Sequence, residues 1–275
     1  MSTVTTSMFD LSGRVAVVTG GSGSLGAAIA RGLGHNGARV ALVARRRDTL
    51  DVVADRMRHD GIDVCALVAD VLDAARLRAA REELINDWGR IDVLVNAAGG
   101  NRPAATVPPE GTVFDLDPDA LTEVVDLNLM GTFLPIREFG RTMAETGRGS
   151  IITISSMAAT RPLSRVAGYG AAKAAVENLT RWLADHVARR FGAGLRVNAI
   201  APGFFLGAQN RDLVVDRAGS LTDRGRRIVD ATPMGRFGDP DDLAGPAVWL
   251  ASDASRFVTG AVVPVDGGFS AAAGL

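Results

Sequence analysis

The chain has 275 residues, 47% of them hydrophobic, and a formal net charge of −1, which supports a sizeable core and gives no compositional footprint for nucleic-acid binding. Its single cysteine, Cys65, excludes disulfide and cysteine–metal chemistry by count, and His35, His59 and His186 have no metal-ligand spacing. The N-terminal MSTVTTSMFDLSGR has neither a basic start nor an apolar stretch, so a cytoplasmic protein without a secretory signal or membrane helix is expected.

Residues 14–19 (RVAVVT) form a short continuous apolar run of the kind found in a strand buried on both faces. TGGSGSLG follows at 19–26, then an Ala-rich amphipathic stretch to about Asn36. Strand, glycine-rich turn and helix in that order are the context of a dinucleotide-binding fingerprint, in which glycines let the backbone approach a pyrophosphate at a helix N-terminus. Gly20, Ser22, Ser24, Leu25 and Gly26 are the candidate contacts. The next strand, 38–44 (ARVALVA), ends at Ala44, followed by Arg45, Arg46 and Arg47. A carboxylate there would bind the ribose hydroxyl of NAD, whereas arginine accommodates the phosphate of NADP, so NADP(H) is expected over NAD(H). The alternative for the three arginines is a solvated charge run opening a surface helix.

A third strand, 64–68, leads to Asp70 and Val71, where Asp70 would meet an adenine or the next helix would be capped at Asp73. The helix 73–87 closes at Gly89. The fourth strand, 91–96 (IDVLVN), runs into AAGG, making Asn96, Ala97, Ala98 and Gly99 candidates for close backbone approach to a cofactor. After a Pro-rich loop, 101–109, a helix starts near Pro118 with Asp117 as N-cap and contains Asn128. Strand 151–154 ends in Ser155 and Ser156, and a loop leads to a helix carrying Tyr169 and Lys173. Residues i and i+4 share a helix face. A cation there favours the phenolate and would lower the tyrosine pKa from about 10, making it a usable proton relay. A sixth strand, 195–200, ends in Ala201-Pro202-Gly203, and residues 204–232 have the weak periodicity of a substrate-covering insertion. Asp239-Pro240-Asp241-Asp242 starts a helix, and 261–265 is the last strand. With no repeat or composition break, one domain over 1–275 is expected, with 1–10 as an N-terminal tail.

Taken together, the 19–26 turn, NAAG at 96–99, Asn128, Ser156, Tyr169-x-x-x-Lys173 and Pro202-Gly203 resemble the short-chain dehydrogenase/reductase family over nearly the whole chain. The resemblance implies a single-domain α/β fold: a Rossmann-type doubly wound sheet of about seven parallel strands in the order 3-2-1-4-5-6-7, with helices on both faces. It implies a tetrad in which Tyr169 is the general acid/base and Ser156 steadies the reacting oxygen. Lys173 would lower the tyrosine pKa and hold the nicotinamide ribose, and Asn128 would keep a water that links Lys173 to solvent. Cofactor contacts would come from the 19–26 turn, Arg45, Asp70, Val71, Asn96, Ala97, Ala98, Gly99, Tyr169, Lys173, Pro202, Gly203 and Phe205. Relatives are commonly homotetramers. Two positions depart from the family: its middle turn glycine is Ser24, and its threonine past Pro-Gly is Gly207.

NAAGGNRPAAT, SSMAATRPLS, APGFFLGAQNR, GSLTDRG and ATPMGRFGDPDDL are similar to a subgroup described as D-mannonate oxidoreductases or fructuronate reductases. That subgroup interconverts a ketone and a secondary alcohol of a sugar acid, and its activity is usually linked to NAD(H), against the Ala44-Arg45 reading. A sugar-acid carboxylate calls for a guanidinium clamp, and Arg102, Arg161, Arg165 and Arg211 lie in loops at the expected edge. Asn101, Arg102, Arg161, Gln209 and Asn210 are the substrate candidates. The alternatives are a reductase of another ketone, such as a 3-oxoacyl thioester served by an apolar channel of Phe204, Phe205 and Leu206, or a neutral polyol. A dinucleotide-binding protein without catalysis is the third reading, although Tyr169 and Lys173 are both present.

Overall fold

The computed structural model describes residues 8–108, 110–207, 211–216 and 218–272. Seven parallel strands form one sheet in the order β3-β2-β1-β4-β5-β6-β7. They are β1 Val15–Thr19, β2 Arg39–Ala44, β3 Val64–Val68, β4 Val93–Asn96, β5 Arg148–Ile154, β6 Gly194–Pro202 and β7 Val262–Val265. Side chains alternate across a strand, so Ala16 and Val18 enter one core while Val15 and Val17 enter another. The first core is closed by Ile29 and Leu33 of α1 (Ser24–His35), Leu50 and Met57 of α2 (Arg47–His59) and Leu250 of α9 (Ala244–Ala251). The second is closed by Leu77 and Leu84 of α3 (Ala74–Trp88), Phe139 and Met143 of α5 (Gly131–Thr146) and Val187 of α6 (Ala167–Phe191). Helices therefore cover both faces of the sheet, as the uninterrupted apolar strands require.

Chain direction away from β1 reverses between β1 and β4, the neighbours at the middle of the sheet. This is the switch point beside which open α/β sheets bind ligands at the strand carboxyl ends. Register sets which loops meet there: Thr19 is opposite Asn96, Ile154 opposite Ile200, and Pro202 opposite Val265. Gly20 and Ala97 consequently start their loops side by side.

Local signals place most boundaries. Asp73 caps α3 by accepting from the N–H groups of Ala75 and Arg76, and Gly89 ends it in the left-handed conformation. Asp117 caps α4 (Pro118–Val125). Asp239 and Asp242 form a capping box, but their segment is a 3₁₀ turn, Pro240–Leu243, that leads into α9. Between α4 and α5 the helix expands into a π-turn, Asp126–Met130, with Asn128 at its centre. Such bulges recur at functional sites because they turn a side chain out of the α register. Cys65 is only partly buried; desolvation, followed by the nearby carboxylates, pushes its thiol up to about 12. In residues 204–232 the structure shows α7 (Arg211–Val214) and α8 (Asp223–Asp230), the latter capped by Thr222. Among the described residues no helix is long and apolar enough to cross a membrane.

Candidate active site

At the β1 edge, Gly20 is held at φ +66°, and a Cβ there would lie 2.7 Å from the Ala98 nitrogen, so only glycine permits this approach of the two loops. The Ala98 N–H donates to Thr19 Oγ1 at 3.3 Å, tying the loops a second time. Ser24 opens α1, and Gly23 precedes it as an extended N-cap without a side-chain cap. The first N–H groups of α1 are left for an anion, as at any helix start. Ser24 thus sits on the helix rather than at a turn that needs glycine. Ser22 is half-buried, while Leu25 packs against the first core and Gly26 is buried. Asn96 at the end of β4 is buried, yet neither its Nδ2 nor its Oδ1 has a hydrogen-bond partner. Asp70 accepts from the Leu72 N–H at 3.0 Å and faces Arg45 across a 3.8 Å ion pair, with Arg45 62% exposed. Capping belongs to Asp73. Val71 is buried against Gly131 at the start of α5.

The second half of the site gathers around Gly99. Lys173 is buried, donates from Nζ to the Ile154 carbonyl at 2.7 Å, and lies 5.6 Å from the centroid of the Tyr169 ring. Asn128, fully buried, donates from Nδ2 to the Gly100 and Val124 carbonyls, both at 2.8 Å, and accepts the Gly100 N–H on Oδ1 at 3.1 Å. A Cβ on Gly99 would lie 2.7 Å from Asn128 Oδ1 and 3.2 Å from Lys173 Nζ, so the β4 loop, the π-turn and α6 converge on one point. Ser156 is extended (φ −167°), accepts the Ala158 N–H at 3.2 Å, and hydrogen-bonds Tyr169. The Tyr169 ring packs on Ala105, Ala120 and Val124.

Burial dominates the electrostatics here. It raises the Tyr169 phenol above its ordinary pKa, with the Ser156 hydrogen bond opposing. It also pushes Lys173 down to about 8. The expected depression of the tyrosine pKa by the neighbouring ammonium is therefore not the net effect in this arrangement. The cation is aimed past the ring at Ile154, and the apolar packing that positions the phenol also desolvates it.

The substrate candidates fare differently. Asn101 donates to Thr106 Oγ1 at 2.8 Å, and Arg102 pairs with Glu123 at 2.8 Å. Arg161 donates to the Ser270 carbonyl at 2.7 and 3.1 Å, and to that of Ala272 at 3.4 Å, clasping the C-terminal segment. Both guanidiniums are thus engaged by protein groups in place of the open clamp expected of them. Gln209 and Asn210 lie outside the described residues. Pro202 ends β6 and Gly203 packs against Asp266, past the end of β7. The Phe205 side chain is buried in the first core beside Gly238, so only its backbone is available to a cofactor. Gly207 lies near Ser24, and this brings the 204–232 segment to the glycine-rich turn.

Residues 20–270 match the family model described as enoyl-(acyl carrier protein) reductase. A Bacillus subtilis protein described as an uncharacterized oxidoreductase, UxuB, is 43% identical, the match covering 97% of this chain and 98% of the relative. The chain belongs to the short-chain dehydrogenase/reductase family. The fold agrees: a Haemophilus influenza structure with bound NAD, provisionally described as a D-mannonate oxidoreductase, superposes with a TM-score of 0.90 at 38% identity over 97% of this chain and 98% of that one. A Burkholderia cenocepacia gluconate 5-dehydrogenase in complex with NADP and tartrate gives a TM-score of 0.85 at 36% identity, covering 97% and 99%. This short-chain dehydrogenase/reductase is an NAD(P)-dependent oxidoreductase acting on CH–OH donors.

A nicotinamide dinucleotide fits the residues present. The unpaired buried amide of Asn96, the close approach at Gly20 and the open first turn of α1 lie along the switch-point crevice that would receive it. One feature escaped the sequence reading. Ser155 donates to Glu177 Oε1 at 3.0 Å and reaches the Lys173 carbonyl at 3.4 Å, and Arg181 braces Glu177 at 3.2 Å. The signal was available: Glu177 and Arg181 continue the i+4 row that runs from Tyr169 through Lys173.

Proposed function

We propose that this enzyme interconverts a ketone and a secondary alcohol on a sugar acid of the D-mannonate/D-fructuronate type, with NADP(H) preferred to NAD(H). The observation that carries it is one cluster next to the crevice of the glycine-rich turn: Asn128 and Lys173 meet at Gly99, Lys173 lies 5.6 Å from the centroid of the Tyr169 ring, and Ser156 hydrogen-bonds Tyr169. In reduction, Tyr169 gives its proton to the carbonyl oxygen while the Ser156 hydroxyl hydrogen-bonds the same oxygen. Lys173 would hold the nicotinamide ribose and, with its pKa brought down to about 8 by burial, passes protons close to neutral pH. Asn128 holds the water that connects Lys173 to solvent. The bound cofactor supplies or accepts the hydride.

The sugar-acid part draws support from the relatives described as acting on mannonate and gluconate. The thioester reading is weakened because Phe205 is turned into the core, so Phe204, Phe205 and Leu206 do not line one channel together. The NADP(H) preference draws on Ala44 at the end of β2 and on Arg45, whose exposed guanidinium has only a long pair to Asp70 to give up for a phosphate. In this reading the chain works as one cytoplasmic unit in which residues 204–232 cover the substrate. It assembles as a homotetramer, consistent with exposed Phe133 on α5 and Trp182 on α6.

The test is nicotinamide absorbance with D-fructuronate and a 3-oxoacyl thioester, each with NADPH and NADH, for the wild type and Arg45→Ala. Turnover of fructuronate and a loss of NADPH affinity of about tenfold or more in the variant, with NADH little changed, are expected. Turnover of the thioester alone would discard the sugar-acid reading, and equal losses for both cofactors would remove Arg45 from phosphate recognition.

A further inference from the structure

Three of the four loop arginines near the strand carboxyl ends differ in what they have left to offer. Arg102 is exposed and neutralised by Glu123, and Arg161 spends Nε and one terminal nitrogen on the carbonyls of the C-terminal segment. Arg165 is different. It is the one non-glycine among the described residues with a positive φ, +73°, a conformation that costs an L-residue on the order of 1 kcal/mol. Two reciprocal bonds hold it there: the Val107 N–H donates to the Arg165 carbonyl at 2.9 Å, and Arg165 Nε donates to the Val107 carbonyl. This clasp joins the loop after β4 to the segment leading into α6. Val107 is two residues from Ala105, on which the Tyr169 ring packs, and Arg165 is four residues ahead of Tyr169.

Only Nε is used in the clasp, and both terminal nitrogens of Arg165 are without a hydrogen-bond or ion-pair partner among the described residues. The side chain is partly buried, which makes a charge–charge contact there stronger than on an open surface. A guanidinium pinned at Nε, with its terminal pair unspent, is pre-organised for a carboxylate. We propose that Arg165 binds the substrate carboxylate and so selects sugar acids over the neutral sugars and polyols of the same length. This rests on the sugar-acid reading above. The strained backbone is maintained because it fixes that guanidinium on the Val107 loop, whose Ala105 carries the Tyr169 ring.

The test compares D-fructuronate with D-fructose, which carries a hydroxymethyl group in place of the carboxylate, for the wild type, Arg165→Gln, Arg165→Lys, Arg102→Gln and Arg161→Gln, with cofactor binding followed by fluorescence as the check on folding. The expected result is a wild type that prefers the acid. In Arg165→Gln the preference falls about 10- to 100-fold through KM for the acid, over and above any loss of kcat from the broken clasp, which acid and fructose share. Arg165→Lys should lose part of that preference, because the charge is kept and the paired donors are not, and it carries the test if the Gln variant fails to fold. Should the wild type treat acid and neutral sugar alike, the sugar-acid reading and this assignment fall together. Should the wild type prefer the acid while Arg102→Gln or Arg161→Gln loses the preference and Arg165→Gln keeps it, the sugar-acid reading stands and the assignment to Arg165 is overturned.

Discussion

Lys173 carries an electrostatic cost of burial. Its folded pKa, about 8, is below the 10.5 of a free lysine because burial disfavours the ammonium. The unfolded chain therefore binds more protons between those two values, and stability rises with pH across that window. Below about pH 8 the full penalty is present. Lys173→Met should accordingly be more stable than the wild type at pH 7, by on the order of 2 kcal/mol once the lost bond to Ile154 is set against the relieved desolvation. That advantage should shrink as pH rises from 8 past 10, which denaturant titrations at several pH values will show. A constant difference would mean that Lys173 is not desolvated in the folded protein. Tyr169→Phe keeps the ring on Ala105, Ala120 and Val124 and removes only the hydroxyl. Turnover should fall about 10²–10⁴-fold with cofactor affinity nearly intact; an active Phe variant would refute the proton-transfer role.

Among the elements, the β4 loop, the π-turn and α6 meet without spare room. Gly99→Ala should push Asn128 and Lys173 apart, because its Cβ would fall within 2.7 and 3.2 Å of their polar atoms. We expect kcat to drop about tenfold or more, as small displacements in a positioned site do, while the melting temperature changes little. Unchanged kcat would show that the loop simply yields. The site half of this arrangement was partly legible because it is local. Tyr169 and Lys173 are one helical turn apart, and Ser156 ends an apolar run, so pattern and spacing suffice. The protein partners of the arginines were not legible because they are distant in sequence. Arg161 finds the Ser270 carbonyl across 109 residues, and Arg102 finds Glu123 on another element. No local pattern announces such an engagement.

For the molecule as a whole, the sheet is tied to the end of α9 and the segment before β7 by Arg196 of β6. Its buried guanidinium donates to Ser255 Oγ and to the carbonyls of Leu250, Ser252 and Val258, at 2.9 to 3.3 Å. Arg196→Ala removes four hydrogen bonds and the buried side chain that fills the space between β6 and the end of α9, although Leu250, Ser252 and Val258 keep the donors Ser150, Ser255 and Asn198 on their carbonyls, and it should cost about 3 kcal/mol. Because Arg196 is far along β6 from the Pro202 end, substrate KM measured below the lowered melting temperature should be unaffected. A variant as stable as the wild type would show that the remaining donors and a local repacking make up for the guanidinium.

The sequence by itself determined the fold class and the family. Strands buried on both faces must be continuous apolar runs, and a glycine-rich turn after the first of them identifies the crevice. It determined boundaries less well: β5 begins at Arg148, three residues before its apolar run, because its polar start is held by backbone pairing to β6 and, at Ser150, also to β4. Tertiary structure alone decided which side chains are spent. It turned Phe205 into the core, occupied Arg102 and Arg161, left Asn96 unpaired, raised the Tyr169 pKa, and pinned Arg165 to Val107. Each of those outcomes depends on desolvation or on a partner many residues away, and neither is written into any local stretch of the chain.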